Sequence, residues 1–339
     1  MFGYFRFFLA TLVLISHVEI RLQDSFNPGV SAVVSFYMLA GFVVCNLFSK
    51  KFISEKPQYF LFYYERALRI FPQYIFIVIL TLSFIIVTNY GSPVFNIKGL
   101  VNNIFIIPLN YYMVIDNSIL QEPKWWLIPP AWSLGVELQA YLFLPFIIYY
   151  KPIKMVAAII SFAVFIVASF GIINTDIFGY RLIPGVLFIF ILGITIYKNT
   201  SDHVTSDLFD KFFPAIVYAV LVLVLITLGV FKMLLAPYAR ETILGILIGL
   251  PIITYISKST YSAPMNHFIG DLSYGLFLSH FLAIWVVEYY SLVVKSASPY
   301  IYVATVFIIS LLLSIIGVLV VENSIKKYRF KLSKFIKYK

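Results

Sequence analysis

The chain has 339 residues, of which 61% are hydrophobic and only 12% charged. A soluble domain carries roughly 45–50% apolar and about 25% charged residues, so a water-soluble globule is excluded and one integral membrane domain fills the chain. The net charge of +10 does not mark a nucleic-acid binder, because the basic residues sit between apolar runs and at the C-terminus, where they meet an anionic cytoplasmic leaflet.

Apolar runs near the ~20 residues that cross a bilayer recur along the whole length. They predict an all-α, polytopic helical bundle with ten transmembrane helices, near 3–20, 30–48, 70–89, 131–150, 153–173, 181–198, 212–231, 237–256, 270–290 and 299–321. The first run carries Arg6 and lacks a small-x-small cleavage site near Val18, so it reads as a retained helix and not as a signal peptide. The long connection 90–130 holds Gly91, Pro93, Pro108, Pro123, Pro129 and Pro130 and cannot be one helix. Its apolar piece Val101 to Ile115 is short for a span and reads as interfacial or re-entrant.

Counting Lys and Arg sets the expected orientation. With the N-terminus cytoplasmic, the cytoplasmic loops and tail hold 17 of them against 7 outside, with Arg6 inside the first span. That bias predicts both termini inside. The expected organisation is a membrane domain over 1–325 and a basic cytoplasmic tail over 326–339. Cys45 is the single cysteine, which excludes an internal disulfide or a cysteine metal cluster. No Gly-rich phosphate loop and no His/Asp/Glu group at metal spacing is present, so no metal is expected.

Charges within spans cost about 2.5–3.5 kcal/mol each on insertion scales and therefore mark candidate sites. Arg6 and His17 are eleven residues apart on the first helix. That spacing is three turns plus about 20°, so both lie on one face, ~16 Å apart along the axis. Arg6 is suited to bind the phosphates of a coenzyme A thioester by bidentate hydrogen bonds, with the thioester beside His17. The alternative is that each snorkels to its own headgroup layer. In YYERALRIFPQY, Arg66 and Arg69 are neighbours on a helix surface. They form either a second anion site or a plain positive-inside anchor.

The fourth helix opens on PPAWSLGVELQAYLFLPF. Trp132 suits an interface, and Glu137 lies two turns inward, where a carboxylate needs a partner. His17 is at a compatible depth, which would make Glu137 its orienting group; an arginine pair is the structural alternative. In DLSYGLFLSHFLAIW, Ser273, Tyr274 and His280 are candidates for chemistry or for polar contacts between helices. Glu322 reads as a structural partner for a basic residue, and Glu19 as solvated. His203 and His267 receive no role.

These pieces resemble acyltransferase family 3 in order along the chain: Arg-x10-His (Arg6 to His17), SFYMLAGFVV at 35–44, ERALRIFP at 65–72, WSLGVELQAYLFLP at 132–145, LSYGLFLSH at 272–280 and Glu322. The resemblance implies an essential His17, functional Arg6, Arg66 and Arg69, and motif positions at Trp132, Ser133, Glu137, Tyr274 and His280. The family's SGF reads Ala40-Gly41-Phe42, so that serine hydroxyl is absent. By resemblance, the expected activity is O-acylation in the bacterial inner membrane. An acyl group, acetyl by the same resemblance, passes from acyl-CoA to a hydroxyl of a cell-envelope polysaccharide or lipid-linked glycan. The expected partners are the bilayer and a glycan or glycolipid acceptor. A transporter or flippase for a lipid-linked sugar or acylated product, and a non-catalytic partner of a polysaccharide synthase, are the competing readings; the first also explains buried charges and many aromatics, but the shared Arg6–His17 face favours the enzyme over both.

Overall fold

The computed structural model describes residues 1–18, 26–53, 57–201, 204–234, 236–259 and 264–329. Glu19, Arg21, His203 and the tail from 330 lie outside the described residues. Among the described residues, nine helices are long and apolar enough to cross a membrane, and a tenth, Phe2–Val18, is shorter and apolar. The chain is therefore an all-α polytopic membrane protein.

The helices are α1 (Phe2–Val18), α2 (Pro28–Lys51), α3 (Tyr59–Thr88), α4 (Ile97–Phe105), α5 (Ala131–Tyr149), α6 (Lys151–Ser169), α7 (Ile183–Thr200), α8 (Leu208–Val230), α9 (Ala239–Ser257), α10 (Pro264–Tyr289) and α11 (Pro299–Gly317). Two starts differ from expectation by more than four residues. Helix α3 begins at Tyr59, eleven residues before the predicted start at 70. The charges at 65–69 hid its first turns, and Pro72 sits inside the helix instead of opening it. Helix α10 begins at Pro264, six residues early, with the proline in the first turn, where its missing N–H costs nothing.

The chain forms two compact units, each assembled from separated segments. The first comprises Met1–Phe2, Leu22–Tyr63 and Val136–Tyr261. Helix α2 is its axis, packed on α7 and α9. Small residues allow this close approach. A side chain at Gly41 would collide with the Phe190 carbonyl, and one at Gly193 with the Met38 carbonyl. The Ala40-Gly41-Phe42 sequence thus lies within a helix, and its glycine is a packing position. Ser31 and Ser35 hydrogen-bond to backbone carbonyls of α9, at Glu241 (2.7 Å) and Gly245 (3.3 Å). At one end of this unit the fully buried Lys154 ammonium contacts Asp210 at 2.5 Å and Asp207 at 3.2 Å. Asp207 caps α8 through a reciprocal box with Asp210, so the lysine fastens α6 to the start of α8.

The second unit comprises Gly3–Arg21, Tyr64–Gly135 and Ser262–Lys339. Helices α10 and α11 pack closely. They are tied by Ser279 to the Ser310 carbonyl (3.1 Å) and Ser314 to the Leu272 carbonyl (2.7 Å). Helix α11 runs into a π turn over Val318–Glu322, an irregularity often found at functional positions. The connection after α3 holds α4, a 3-10 turn at Ile107–Tyr111 and a hairpin of β1 (Leu120–Gln121) and β2 (Lys124–Trp125). At nine residues α4 falls far short of the ~20 needed to span.

Candidate functional site

In the second unit, α1 and α10 run parallel with a constant offset. The Gly3 amide donates to Asn266 Oδ1 at 2.8 Å, and fourteen residues further on each helix His17 meets His280. Gly3 permits this contact, because a side chain there would strike the Asn266 carbonyl. The offset of 263 residues is the same at both ends. By that offset Arg6 is level with Ile269 and Gly270.

His280 Nε2 lies 3.1 Å from His17 Nδ1, with ring planes 18° apart. His280 is fully buried, whereas His17 is exposed. The hydrogen bonds assign the tautomers. His280 Nδ1 faces the Leu276 carbonyl at 3.4 Å. A carbonyl only accepts, so that nitrogen carries the proton and Nε2 is the acceptor. His17 Nδ1 is then the donor, and His17 Nε2 keeps a free lone pair. The geometry also forbids a doubly cationic pair, since two N–H groups would then point at each other. The partner of His17 is thus a second imidazole. Glu137, expected as the orienting group, lies in the first unit, where it accepts a hydrogen bond from the Tyr141 hydroxyl.

About 14 Å back along α10, nine residues from His280, lies a charge network. Arg69 Nη1 contacts Glu322 at 2.5 Å and Asp271 at 3.3 Å. Arg66 pairs with Glu65. Arg329 reaches Glu65 at 2.7 Å and Glu322 at 3.4 Å, and Lys326 contacts Asp271. Among the described residues, four cations meet three carboxylates, which leaves one positive charge in excess at the level of Arg6. Glu322, placed by the π turn, is the structural partner the sequence suggested. Asp271, Lys326 and Arg329 were missed. Asp271 opens the motif sequence DLSYGLFLSH and could have been flagged as an acid in a span; the two cations read only as tail charge.

The remaining motif positions hold backbone. Tyr274 donates to the Ile70 carbonyl at 3.0 Å, which locks α10 to α3 beside Arg69. Ser133 donates to the Pro130 carbonyl at 2.9 Å and closes the first turn of α5. Trp132 is partly exposed on that turn, and Gly135 seats it closely against the backbone at 106–107.

The connection 90–130 is held by Asn103, which is fully buried. Its Oδ1 accepts from the Leu127 amide at 2.8 Å. Its Nδ2 donates to the Gly99 carbonyl at 2.8 Å and the Asn117 carbonyl at 3.1 Å. Tyr74 of α3 donates to the Asn103 carbonyl at 2.6 Å. On the exposed side of the hairpin Asp116 pairs with Lys124 at 3.0 Å. The Ser118 side chain and amide, together with Lys124, hold the Asp116 carboxyl down to about 2.

Comparison with known proteins gives the family. The profile of the acyltransferase domain matches residues 2–320, nearly the whole chain and both units. An uncharacterized protein of Aquifex aeolicus (strain VF5) is 36% identical over 226 residues, covering 66% of this chain and all of that protein. No solved structure matches. With Arg-x10-His and the later motifs in family order, the chain belongs to acyltransferase family 3.

Proposed function

We propose that this protein is an acyl-CoA-dependent O-acyltransferase of the bacterial inner membrane, with both termini cytoplasmic. It moves an acetyl group to a hydroxyl of a cell-envelope polysaccharide or lipid-linked glycan. The observation that carries the reading is the register of α1 on α10. It puts Arg6 and a net-positive cluster at one level, and an exposed imidazole with a free Nε2 about 16 Å further along. The pantetheine arm of a CoA thioester has a similar reach.

In this mechanism the donor's phosphates bind Arg6, with Arg66 and Arg69 supplying further positive charge. Guanidinium groups suit this role because their planar fork matches phosphate oxygens. His17 Nε2 takes the proton of the acceptor hydroxyl as the oxygen attacks the thioester carbonyl. The carbon–sulfur bond then breaks, and the CoA thiolate leaves and takes up a proton. His280 holds the His17 tautomer that can act as base. Glu137, Trp132 and Ser133 are carried as motif positions by the family resemblance, Trp132 and Ser133 on the first turn of α5.

The test uses the full chain in lipid nanodiscs with radiolabelled acetyl-CoA, with and without a lipid-linked glycan extract. Label is expected in glycan with wild type and absent with His17→Ala, while Arg6→Ala raises the acetyl-CoA KM. Glycan that crosses the bilayer without CoA, combined with no transfer by wild type, would replace this reading with a transporter.

A further inference from the structure

The connection 90–130 is more heavily fastened than a loop between two spans requires, and it delivers two adjacent tryptophans. Ring contacts run without a break from the imidazole to these indoles. His17 is 5.0 Å from Phe281, and Phe281 is 5.6 Å from Trp125, centroid to centroid. Trp125 is 5.7 Å from Trp126, which is 5.5 Å from Tyr112. The Trp125 ring therefore lies no more than about 11 Å from the His17 ring.

The members differ in exposure. Phe281 and Trp126 are buried, whereas Trp125 is partly open. Phe281 and Trp126 meet it at interplanar angles of 60° and 80°, and part of the residue remains exposed. Trp126 adds an indole N–H that is buried and has no hydrogen-bond partner among the described residues. A buried donor of this kind is costly unless something accepts from it. The backbone beneath is fixed: the Ile119 amide bonds to the Trp125 carbonyl at 2.9 Å, and Leu127 is held by Asn103 at 2.8 Å. An open ring on a rigid mount, with an unsatisfied donor next to it, is the composition of a ligand pocket: apolar surface with a few placed polar groups.

We propose that Trp125 is a stacking platform for a hexose ring of the acceptor, positioned so that a hydroxyl of that sugar reaches His17 Nε2. A pyranose suits this surface because one face presents C–H groups, whose positive hydrogens meet the negative face of the indole. Its rim of hydroxyls can accept from the Trp126 N–H. A headgroup anchor in the membrane interface would also use tryptophan, but it requires neither the ring path to His17 nor the unpartnered donor. This proposal rests on the transferase reading for the identity of the acceptor.

Binding is measured first, without donor. The full chain in nanodiscs is titrated with gluco-, galacto-, manno- and N-acetylglucosamine oligosaccharides, followed by saturation-transfer NMR against empty nanodiscs. At least one oligosaccharide is expected to bind wild type. Trp125→Ala should weaken it by about tenfold or more, as loss of one stacked ring predicts, and Trp125→Phe by no more than about threefold. Acetyl-CoA binding, read separately, should be unchanged in both variants, which also shows that they fold. No binding by wild type to any of the four classes, or equal binding by wild type and Trp125→Ala, overturns the proposal. Sugar binding that depends on Trp125 without acetyl transfer would retain the platform and defeat the transferase reading instead.

Discussion

His280 Nε2 faces His17 Nδ1 at 3.1 Å, and the His280 Nδ1 faces a carbonyl of its own helix. One imidazole thereby sets the proton position on the other. In the proposed mechanism His280 is a positioning residue, since it is fully buried while His17 is exposed.

Replacing His280 with Phe removes the acceptor for His17 Nδ1–H and releases the tautomer. The expected result is a kcat lower by about 10–100-fold with little change in the acetyl-CoA KM, within the range that acid–base positioning contributes. Gln offers a carbonyl oxygen in its place and should restore part of kcat. Steady-state kinetics of the two variants decide the matter: equal losses in Phe and Gln would mean that His280 only fills space.

Glu322 and Arg69 should separate stability from donor affinity. Removing one partner of a buried ion pair costs about 3–5 kcal/mol, so Glu322→Gln should lower thermal stability clearly. It also adds one positive charge to the cluster, so the acetyl-CoA KM should hold or fall. Arg69→Gln should lose both stability and donor affinity. Thermal unfolding followed by donor titration checks both, and a raised KM in Glu322→Gln would detach the network from donor binding.

Lys154 is an ion-pair staple with no part in chemistry. Lys154→Met should destabilise the protein by about 3–5 kcal/mol, because it leaves the Asp210 carboxylate buried without its nearest cation. Adding Asp210→Leu should recover much of that loss, since a matched apolar pair costs less than a stranded charge. Residual activity of the folded single variant should be near wild type. A double-mutant cycle read by thermal unfolding in nanodiscs measures the coupling, and additive losses would refute the staple.

The helices were legible because membrane spans announce themselves by length and apolarity. All ten appear among the described residues, the first as a shorter helix, and the largest error falls where charges occur inside a helix, at Glu65, Arg66 and Arg69 near the start of α3. The Arg6–His17 face was legible because it lies on one helix, where spacing alone fixes geometry. The His280 partnership was not. It depends on the register of two helices 263 residues apart in sequence, which no local periodicity reports. The same holds for Asp271 and Arg329, whose partners come from other helices. The role of Asn103 was hidden for a different reason: a polar residue in a proline-broken connection looks solvated, yet this one is fully buried beneath the hairpin.

The paired contacts Gly3–Asn266 and His17–His280 make the first helix a ruler. One contact pins the zero mark and the other is read fourteen residues on. Deleting a single residue between them would swing the imidazole about 100° around the helix and draw it back 1.5 Å. It would then point away from His280, although every remaining side chain was conservative. The number of residues between the two marks is therefore as constrained as the buried side chains Leu9, Ala10, Val13 and Leu14 that lie there. The ten residues between Arg6 and His17 thus carry information as a count as well as in what they pack against.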